Sequence, residues 1–286
     1  MKNNHIILII GESTGLECLK ALLKLKYFKI SHIISADRKY DKIIHYICRI
    51  NKFFFITSDK FKKNEKNIRF IKNKKYYLIS IFSNIVINSS FLKKFKGRAY
   101  NFHPGLLPYY PGKNCVSGAL YNNEKKSGVS MHIMTSKVDR GKILKKKIIK
   151  IKNTDNLMTL MLKLKLCCIE LFKYFIRNLY FNKIFSKTKN DNSLKKKFPK
   201  FIPHGGKIDT NTDLNEFKKL FRASFFGPYK NTWGKPYFKF KNSTKKIISI
   251  EKIISKKISS SKFVEKISYK KYKLNFKRKT VIVNVN

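Results

Sequence analysis

Three side chains have the types and spacing that acyl transfer to an amine requires: Asn101, His103 and Asp139. An amide and an imidazole two residues apart on a strand face the same side, because side chains alternate along a strand. Pro104 and Gly105 then turn the chain away and leave the imidazole at the strand end. Open α/β sheets build their sites at such carboxyl ends. Asp139 follows a second strand-like run, Val129 to Met134, and can reach the same crevice. Transfer of an acyl group to an amine needs donors for the charge growing on the carbonyl oxygen and a group that takes the amine's proton. The Asn101 amide and a His103 N–H can supply the donors. Asp139 can accept or relay the proton and can hold the imidazole in one tautomer. No Ser or Cys is placed as a nucleophile. Cys115, the one thiol nearby, falls at the start of an expected helix and reads as structural, so direct transfer is expected, without a covalent intermediate.

The loop around these residues has a defined shape. Three of the chain's 7 prolines, Pro104, Pro108 and Pro111, fall within Asn101-Phe-His103-Pro-Gly-Leu-Leu-Pro108-Tyr-Tyr-Pro-Gly112. Proline fixes φ, and glycine allows what other residues cannot. Further on come Gly128-Val-Ser-Met-His132-Ile-Met134 and Val138-Asp139-Arg-Gly141. An isolated Asn-x-His, or a lone Asp in a turn, carries little information. The ordered string carries the specificity.

The elements that must hold this loop alternate along the chain. His5 to Ile10 reads as a buried parallel strand, Gly15 to Lys26 as a helix capped by Thr14, and Ile30 to Ser35 as the next strand. That is a βαβ unit. Gly11-Glu12-Ser13-Thr14-Gly15 is neither a dinucleotide fingerprint nor a P-loop, and Gly11 reads as a tight turn. A helix follows over 41–51, a strand over 53–56, a basic helix and loop over 60–74, and a strand from Tyr76 to Phe82 with an apolar turn, Ile85 to Ile87. A helical turn over 91–95 leads into the strand Arg98 to Phe102. A helix over 115–122 and strands over 129–134 and 143–151 come next. Asn153-Thr154-Asp155 is expected to cap a long core helix reaching about Asn182. The polar stretch Phe185 to Lys197 reads as a linker. A short helix over 215–223, a Gly/Pro/aromatic loop over 225–233 and five strand-like runs between Tyr237 and Val285 follow. The pattern predicts a Rossmann-like α/β domain with a mostly parallel sheet over 1–184, a linker over 185–204, and a small, mostly-β C-terminal domain over 205–286.

Composition narrows the class. Lys and Arg number 65 against 16 Asp and Glu, a net charge of +49. A polyanion partner is one reading. The other is mutational bias, because Lys, Asn, Ile, Phe and Tyr stand for Arg, Ala, Gly and Pro throughout. With 43% hydrophobic residues the chain is not a disordered polyelectrolyte. Its 5 cysteines are odd in number, and none forms a C-x-x-C pair. They read as reduced thiols, and the scattered histidines lack ligand spacing, so no metal is expected. No apolar run reaches transmembrane length, and the opening run reads as a strand and not as a secretory leader. The expectation is a soluble cytoplasmic protein.

The ordered strings from Asn101 to Gly112, Gly128 to Met134 and Val138 to Gly141 resemble the 10-formyltetrahydrofolate-dependent formyltransferases. That family includes methionyl-tRNA formyltransferase, the amino-sugar N-formyltransferases, the peptide-synthetase formylation domains and glycinamide ribonucleotide transformylase. The resemblance implies that Asn101, His103 and Asp139 are the catalytic triad. It implies a formyl-donor pocket for 10-formyltetrahydrofolate lined by Phe82, Ile85, Ile87 and Val138. It implies substrate contacts at Pro108 and Gly112. Downstream, Gly205-Gly206-Lys207-Ile208-Asp209, Phe221-Arg222-Ala223 and Gly227-Pro228-Tyr229 look like the family's junction to its C-terminal domain, where Arg222 can meet a phosphate or carboxylate or can pack. The methionyl-tRNA enzymes usually carry an Arg where Pro111 stands and an extended basic loop in the first third, whereas Ala36 to Asn51 looks shortened. Pro111-Gly112, the His132-x-Met134 pair and Gly227-Pro228-Tyr229 lean toward sugar or carrier-bound acceptors. The basic surface suits tRNA, which is placed first: the expected partners are the folate donor and an aminoacyl-tRNA amine. A formyltetrahydrofolate hydrolase is a minor alternative, because the chain opens at the first strand where hydrolases carry a regulatory domain. A non-catalytic RNA-binding protein is another, against which stands the presence of all three polar residues.

Overall fold

Ile6 to Ile10 is an aliphatic run with side chains almost wholly out of water, and the larger sheet is built around it. The structure, a computed structural model, describes residues 4–65, 68, 70–183, 185, 194, 198–227, 231–255, 262–276 and 279–286. The run lies in β1 (Asn4–Ile10), followed by α1 (Glu12–Leu25), β2 (Lys29–Ser35), α2 (Asp41–Asn51), β3 (Phe54–Thr57) and α3 (Ser58–Asn64). β4 (Lys75–Ile81), α4 (Ser89–Lys93), β5 (Ala99–His103), α5 (Cys115–Tyr121), β6 (Lys126–Ile133), β7 (Ile143–Lys150) and α6 (Leu157–Tyr180) come next. The seven strands order as β3-β2-β1-β4-β5-β6-β7. β3 to β5 pair in parallel, and β6 runs antiparallel to β5. A strand buried on both faces reads as a continuous apolar run, which is why β1 and β4 were legible.

The strand order reverses between β1 and β4. Ile10 pairs with Ile81, and Ile81 pairs with Phe102, so β1, β4 and β5 end level with one another. At a spacing of about 4.8 Å per strand, the ends of β1 and β5 lie roughly 10 Å apart. Side-chain alternation then sorts β5. Phe102 packs on Phe172 and Phe175 of α6, and Tyr100 also packs on Phe175, with ring centroids 4.8–5.7 Å apart. Asn101 and His103 are thereby turned to the other face.

The chain divides into two compact units: 1–113, 126–149 and 163–196 in the first, and 114–125, 150–162 and 197–286 in the second. The second unit holds α5, α7 (Leu214–Ser224) and a five-stranded sheet. Its strands are β8 (Tyr237–Phe240), β9 (Ser243–Ile254), β10 (Val264–Ser268), β11 (Lys271–Phe276) and β12 (Lys279–Val285), in the order β10-β11-β12-β9-β8. Neighbouring strands are antiparallel. Tyr272, Leu274, Phe276, Val281, Val283 and Val285 bury one face by simple alternation. Among the described residues β8 and β10 are the two edges, so this sheet is open and not a closed barrel. In the same unit Tyr121 donates to Glu216 Oε1 at 2.8 Å and its ring meets Trp233.

Two expected caps are corrected. Thr14 does not cap α1. The helix starts at Glu12, directly after Gly11, and Thr14 is buried inside it. The cap of α6 is Asn156: its Oδ1 accepts from the Thr159 N–H at 3.0 Å, and Thr159 Oγ1 accepts from the Asn156 N–H at 2.9 Å. This is a reciprocal capping box with Thr in the place of Glu. Most of the expected linker, 186–193 and 195–197, and Pro228-Tyr229 of the Gly-Pro-Tyr segment lie outside the described residues.

Gly11 is fixed by close approach. A Cβ there would stand 1.9 Å from Phe82 O, on the loop after β4, while the Gly11 N–H donates to Ile81 O at 2.8 Å. Gly11→Ala must therefore push β1 and the post-β4 loop apart. It should lower stability by about 2 kcal/mol in urea unfolding. Unchanged stability would contradict the contact.

Candidate active site

β5 brings Asn101 and His103 to one face, and the antiparallel register places His132 of β6 directly opposite Asn101. Directly opposed residues in an antiparallel pair share a face. The loop after β6 returns Asp139 to the same place. The Asp139 carboxylate is the hub. Oδ1 lies 3.4 Å from Asn101 Nδ2 and 3.3 Å from His132 Nε2. Oδ2 lies 3.4 Å from His103 Nδ1 and accepts from the Gly112 N–H at 2.7 Å. His103, His132 and Asp139 are all buried. Asn101 is half-buried, and its Nδ2 also lies 3.1 Å from His132 Nε2.

The outer ring nitrogens fix the tautomers. His103 Nε2 lies 2.7 Å from Tyr110 O, and His132 Nδ1 lies 2.9 Å from Ile133 O. A carbonyl only accepts, so each of those nitrogens carries hydrogen. The neutral His103 ring therefore turns the bare Nδ1 toward the carboxylate. Burial lowers the proton affinity of His103, opposed by Asp139 and the Tyr110 carbonyl. Burial alone would raise Asp139, but the His103 and His132 imidazoles and the Gly112 N–H together outweigh it and hold the carboxyl well below the usual range. The result is an ionised carboxylate facing a neutral imidazole, two lone-pair-bearing groups with room for one proton between them.

Backbone fit holds the arrangement. Ser130, opposite His103 in the register, donates to Gly105 O at 2.7 Å and accepts from the Leu107 N–H at 3.0 Å. Leu107-Pro108 is cis. At Gly141 a Cβ would stand 1.7 Å from Ile133 O, so the return of the Asp139 loop toward β6 demands glycine there.

The remaining sequence expectations fall as follows. Gly112 presents its N–H to Asp139. Pro108 is buried. Phe82 is buried at positive φ at the end of β4. Ile85 and Ile87 are buried in the core cluster with Phe61 and Phe91. Val86 is the one turned outward, 63% exposed, and Val138 on the Asp139 loop is likewise exposed. Arg222 is not a free cation: Nε donates to Asp155 O at 2.5 Å and Nη2 to Lys152 O at 2.7 Å, holding the chain that leads into α6.

Two residues were missed. His132 stood in a quoted motif, but its role needs the antiparallel pairing of β5 with β6, which no local pattern reveals. Glu12 opens α1 at the switch-point end of β1. Burial, then the charge of Asp37, pushes its carboxyl up to about 7. From sequence it stood in the Gly11–Gly15 turn, ahead of the expected helix.

Residues 33–169 match the protein-family model described as formyl transferase. The bifunctional polymyxin resistance protein ArnA of Wigglesworthia glossinidia brevipalpis is 29% identical over 76% of this chain and 34% of its own length. The methionyl-tRNA formyltransferase of Buchnera aphidicola subsp. Acyrthosiphon pisum (strain Tuc7) is 26% identical over 70% of this chain and 61% of its own length. The chain thus spans between a third and three-fifths of these curated relatives. The solved structure of WlaRD, a sugar 3N-formyl transferase crystallised in the presence of dTDP and 5-N-formyl-THF, superposes with a TM-score of 0.74. It covers 99% of this chain and 98% of its own, at 21% identity, and shows that the fold is shared. No helix among the described residues is long and apolar enough to cross a membrane.

The Glu12 carboxyl makes stability depend on pH. Its folded pKa of about 7 lies above the ordinary 4.5, so its contribution is intact below the ordinary value and is lost as pH rises through the folded one. Above neutrality the burial penalty comes to about 3 kcal/mol. Glu12→Gln should therefore match the wild type near about pH 4 and exceed it by about 2–3 kcal/mol near about pH 8. Denaturant unfolding at the two pH values checks this, and a difference independent of pH would contradict it.

Proposed function

We propose that this chain, whose residues 33–169 match the formyl transferase family model, moves a formyl group from 10-formyltetrahydrofolate to a primary amine, most directly that of a nucleotide-linked amino sugar. The observation that carries the chemistry is the shared Asp139 carboxylate, with Asn101, His103 and His132 around it. Asn101, His103 and Asp139 are the catalytic residues in this reading, and 1–184 is the catalytic domain.

The roles follow from the geometry. The attacking amine must lose a proton, and the His103 Nδ1 and Asp139 Oδ2 pair has both an open position and a stored negative charge for it. As the new N–C bond forms, charge gathers on the formyl oxygen, and the half-buried Asn101 amide is the donor aimed from the strand end. Proton uptake turns His103 into an imidazolium held by the Asp139 carboxylate on one side and the Tyr110 carbonyl on the other. It then returns its proton to the folate nitrogen as the old C–N bond breaks, so one proton passes from acceptor to leaving group and none is lost. His132 donates outward to Ile133 O and keeps the inner side of its ring on Asp139 and Asn101, which holds both in place.

The donor is a substrate, and the loop over 83–88 suits its flat ring. Exposed Val86 offers an apolar surface on backbone that lies outside helix and strand. Phe82, Ile85 and Ile87 form the floor beneath, and Val138 supplies a second exposed apolar side chain.

The acceptor rests on a narrower observation. Only 36–40 separate β2 from α2, with a single 3-10 turn at Arg38–Tyr40. No extended basic loop exists there to enter an acceptor stem, and Pro111 stands where the tRNA enzymes usually have Arg. This moves the balance from the aminoacyl-tRNA reading toward the amino sugar. The similarity to WlaRD over nearly the whole chain points the same way. The net charge of +49 supports methionyl-tRNA as the second reading.

Release of tetrahydrofolate should be followed with 10-formyltetrahydrofolate and, in turn, a nucleotide-linked amino sugar, methionyl-tRNA and a carrier-bound aminoacyl thioester. Turnover with the sugar alone is the expected result. Turnover with methionyl-tRNA alone would overturn the acceptor and retain the chemistry. No turnover with any of them, together with no folate binding, would overturn the formyl-transfer reading.

A further inference from the structure

A glutamate is rarely buried without a partner. Glu65 is 3% exposed, immediately after α3. A carboxylate at a helix C-terminus has the wrong sign for the helix dipole, so neither burial nor the helix explains it. What Glu65 does is accept, through Oε1, a hydrogen bond from Nδ2 of Asn88. Asn88 is exposed and is the last residue of the irregular 83–88 segment, immediately before α4.

We propose that Glu65 is a positioning residue for the formyl-donor site: through Asn88 it sets the conformation of the 83–88 loop. This deepens the formyl-transfer reading and rests on it.

The remaining anchors of that loop are distributed unevenly. At its start the Gly11 N–H bonds Ile81 O, and Gly11 sits tight against Phe82 O. Within it the Ile85 N–H donates to Ser83 Oγ at 3.0 Å, and Ile85 and Ile87 plug the core. Beyond Ile87, the side-chain anchor is the Asn88 amide on Glu65. Val86, the exposed apolar residue of the loop, lies two residues before that anchor. Releasing Asn88 loosens the end of the loop next to α4, so that Ile87 and with it Val86 shift while Ile85 stays seated. The expected defect is therefore in donor binding, and not in the chemistry at Asp139.

The test compares Asn88→Ala, Glu65→Ala and Glu65→Gln in the full chain. Glu65→Gln keeps a carbonyl oxygen that can accept from Asn88 and should behave as wild type. Asn88→Ala changes an exposed residue, so the protein should fold normally. It should raise the donor KM, and the Kd for tetrahydrofolate, by about tenfold. The acceptor KM and kcat should stay within about twofold. The double variant Glu65→Ala/Asn88→Ala should be no worse than Glu65→Ala alone, because the two act as one unit. A merely structural pair would lower thermal stability and active fraction without moving donor KM. That outcome overturns the proposal and leaves formyl transfer standing. Donor KM unchanged in Asn88→Ala also overturns it. A wild type that binds no folate removes both readings.

Discussion

A carboxylate removed from water must find compensation, and Asp139 finds it in the Asn101 amide and the Gly112 N–H, with the His103 and His132 imidazoles packed beside it. Each of those partners comes from a different constraint on the fold. Asn101 and His103 come from alternation along β5. His132 comes from the antiparallel register of β6. The Gly112 N–H comes from the Pro/Gly loop. Taking the carboxylate away would leave the bare Nδ1 of His103 facing an uncharged neighbour, and the proton position between them would lose its charge.

The sheet provides the setting. Level ends of β1, β4 and β5 at the strand-order reversal put Glu12, Phe82 and His103 along one edge. β6 runs antiparallel and ends beside Tyr100 at the start of β5, and the loop after it comes back along β5 to set Asp139 against Asn101 and His103. Tight approaches then fix the backbone without polar partners: Gly11 against Phe82, Gly105 against His103 and Tyr110, and Gly141 against Ile133. These three glycines stand where a Cβ would collide.

Strands buried on both faces and helices with one apolar face could be read from the residues. The helix over Asp41–Asn51 has the expected bounds, and the β5 strand carrying Asn101 and His103 starts and ends one residue from expectation. The triad residues were legible because their order and the Pro/Gly loop are local. What escaped depended on distant partners. His132 needed strand direction. Glu12 needed its burial and Asp37. The inward turn of Ile85 and Ile87 needed Phe61 and Phe91, because an apolar turn looks the same whether it faces a ligand or a core. Of the two roles open for Arg222, the carbonyls of Lys152 and Asp155 show the packing one. Thr14 lost its capping role to a helix that begins one turn earlier than its polar residues suggest.

The central claim is that the Asp139 carboxylate enables His103 to take the amine's proton. The most direct measurement is kcat for formyl transfer in Asp139→Asn against wild type, with circular dichroism and the melting curve recorded on the same samples. The amide keeps an acceptor and the side-chain shape but cannot hold the charge. The account predicts a loss on the order of 1,000-fold in kcat with a preserved fold. A folded Asp139→Asn variant with turnover within a few-fold of wild type would contradict it.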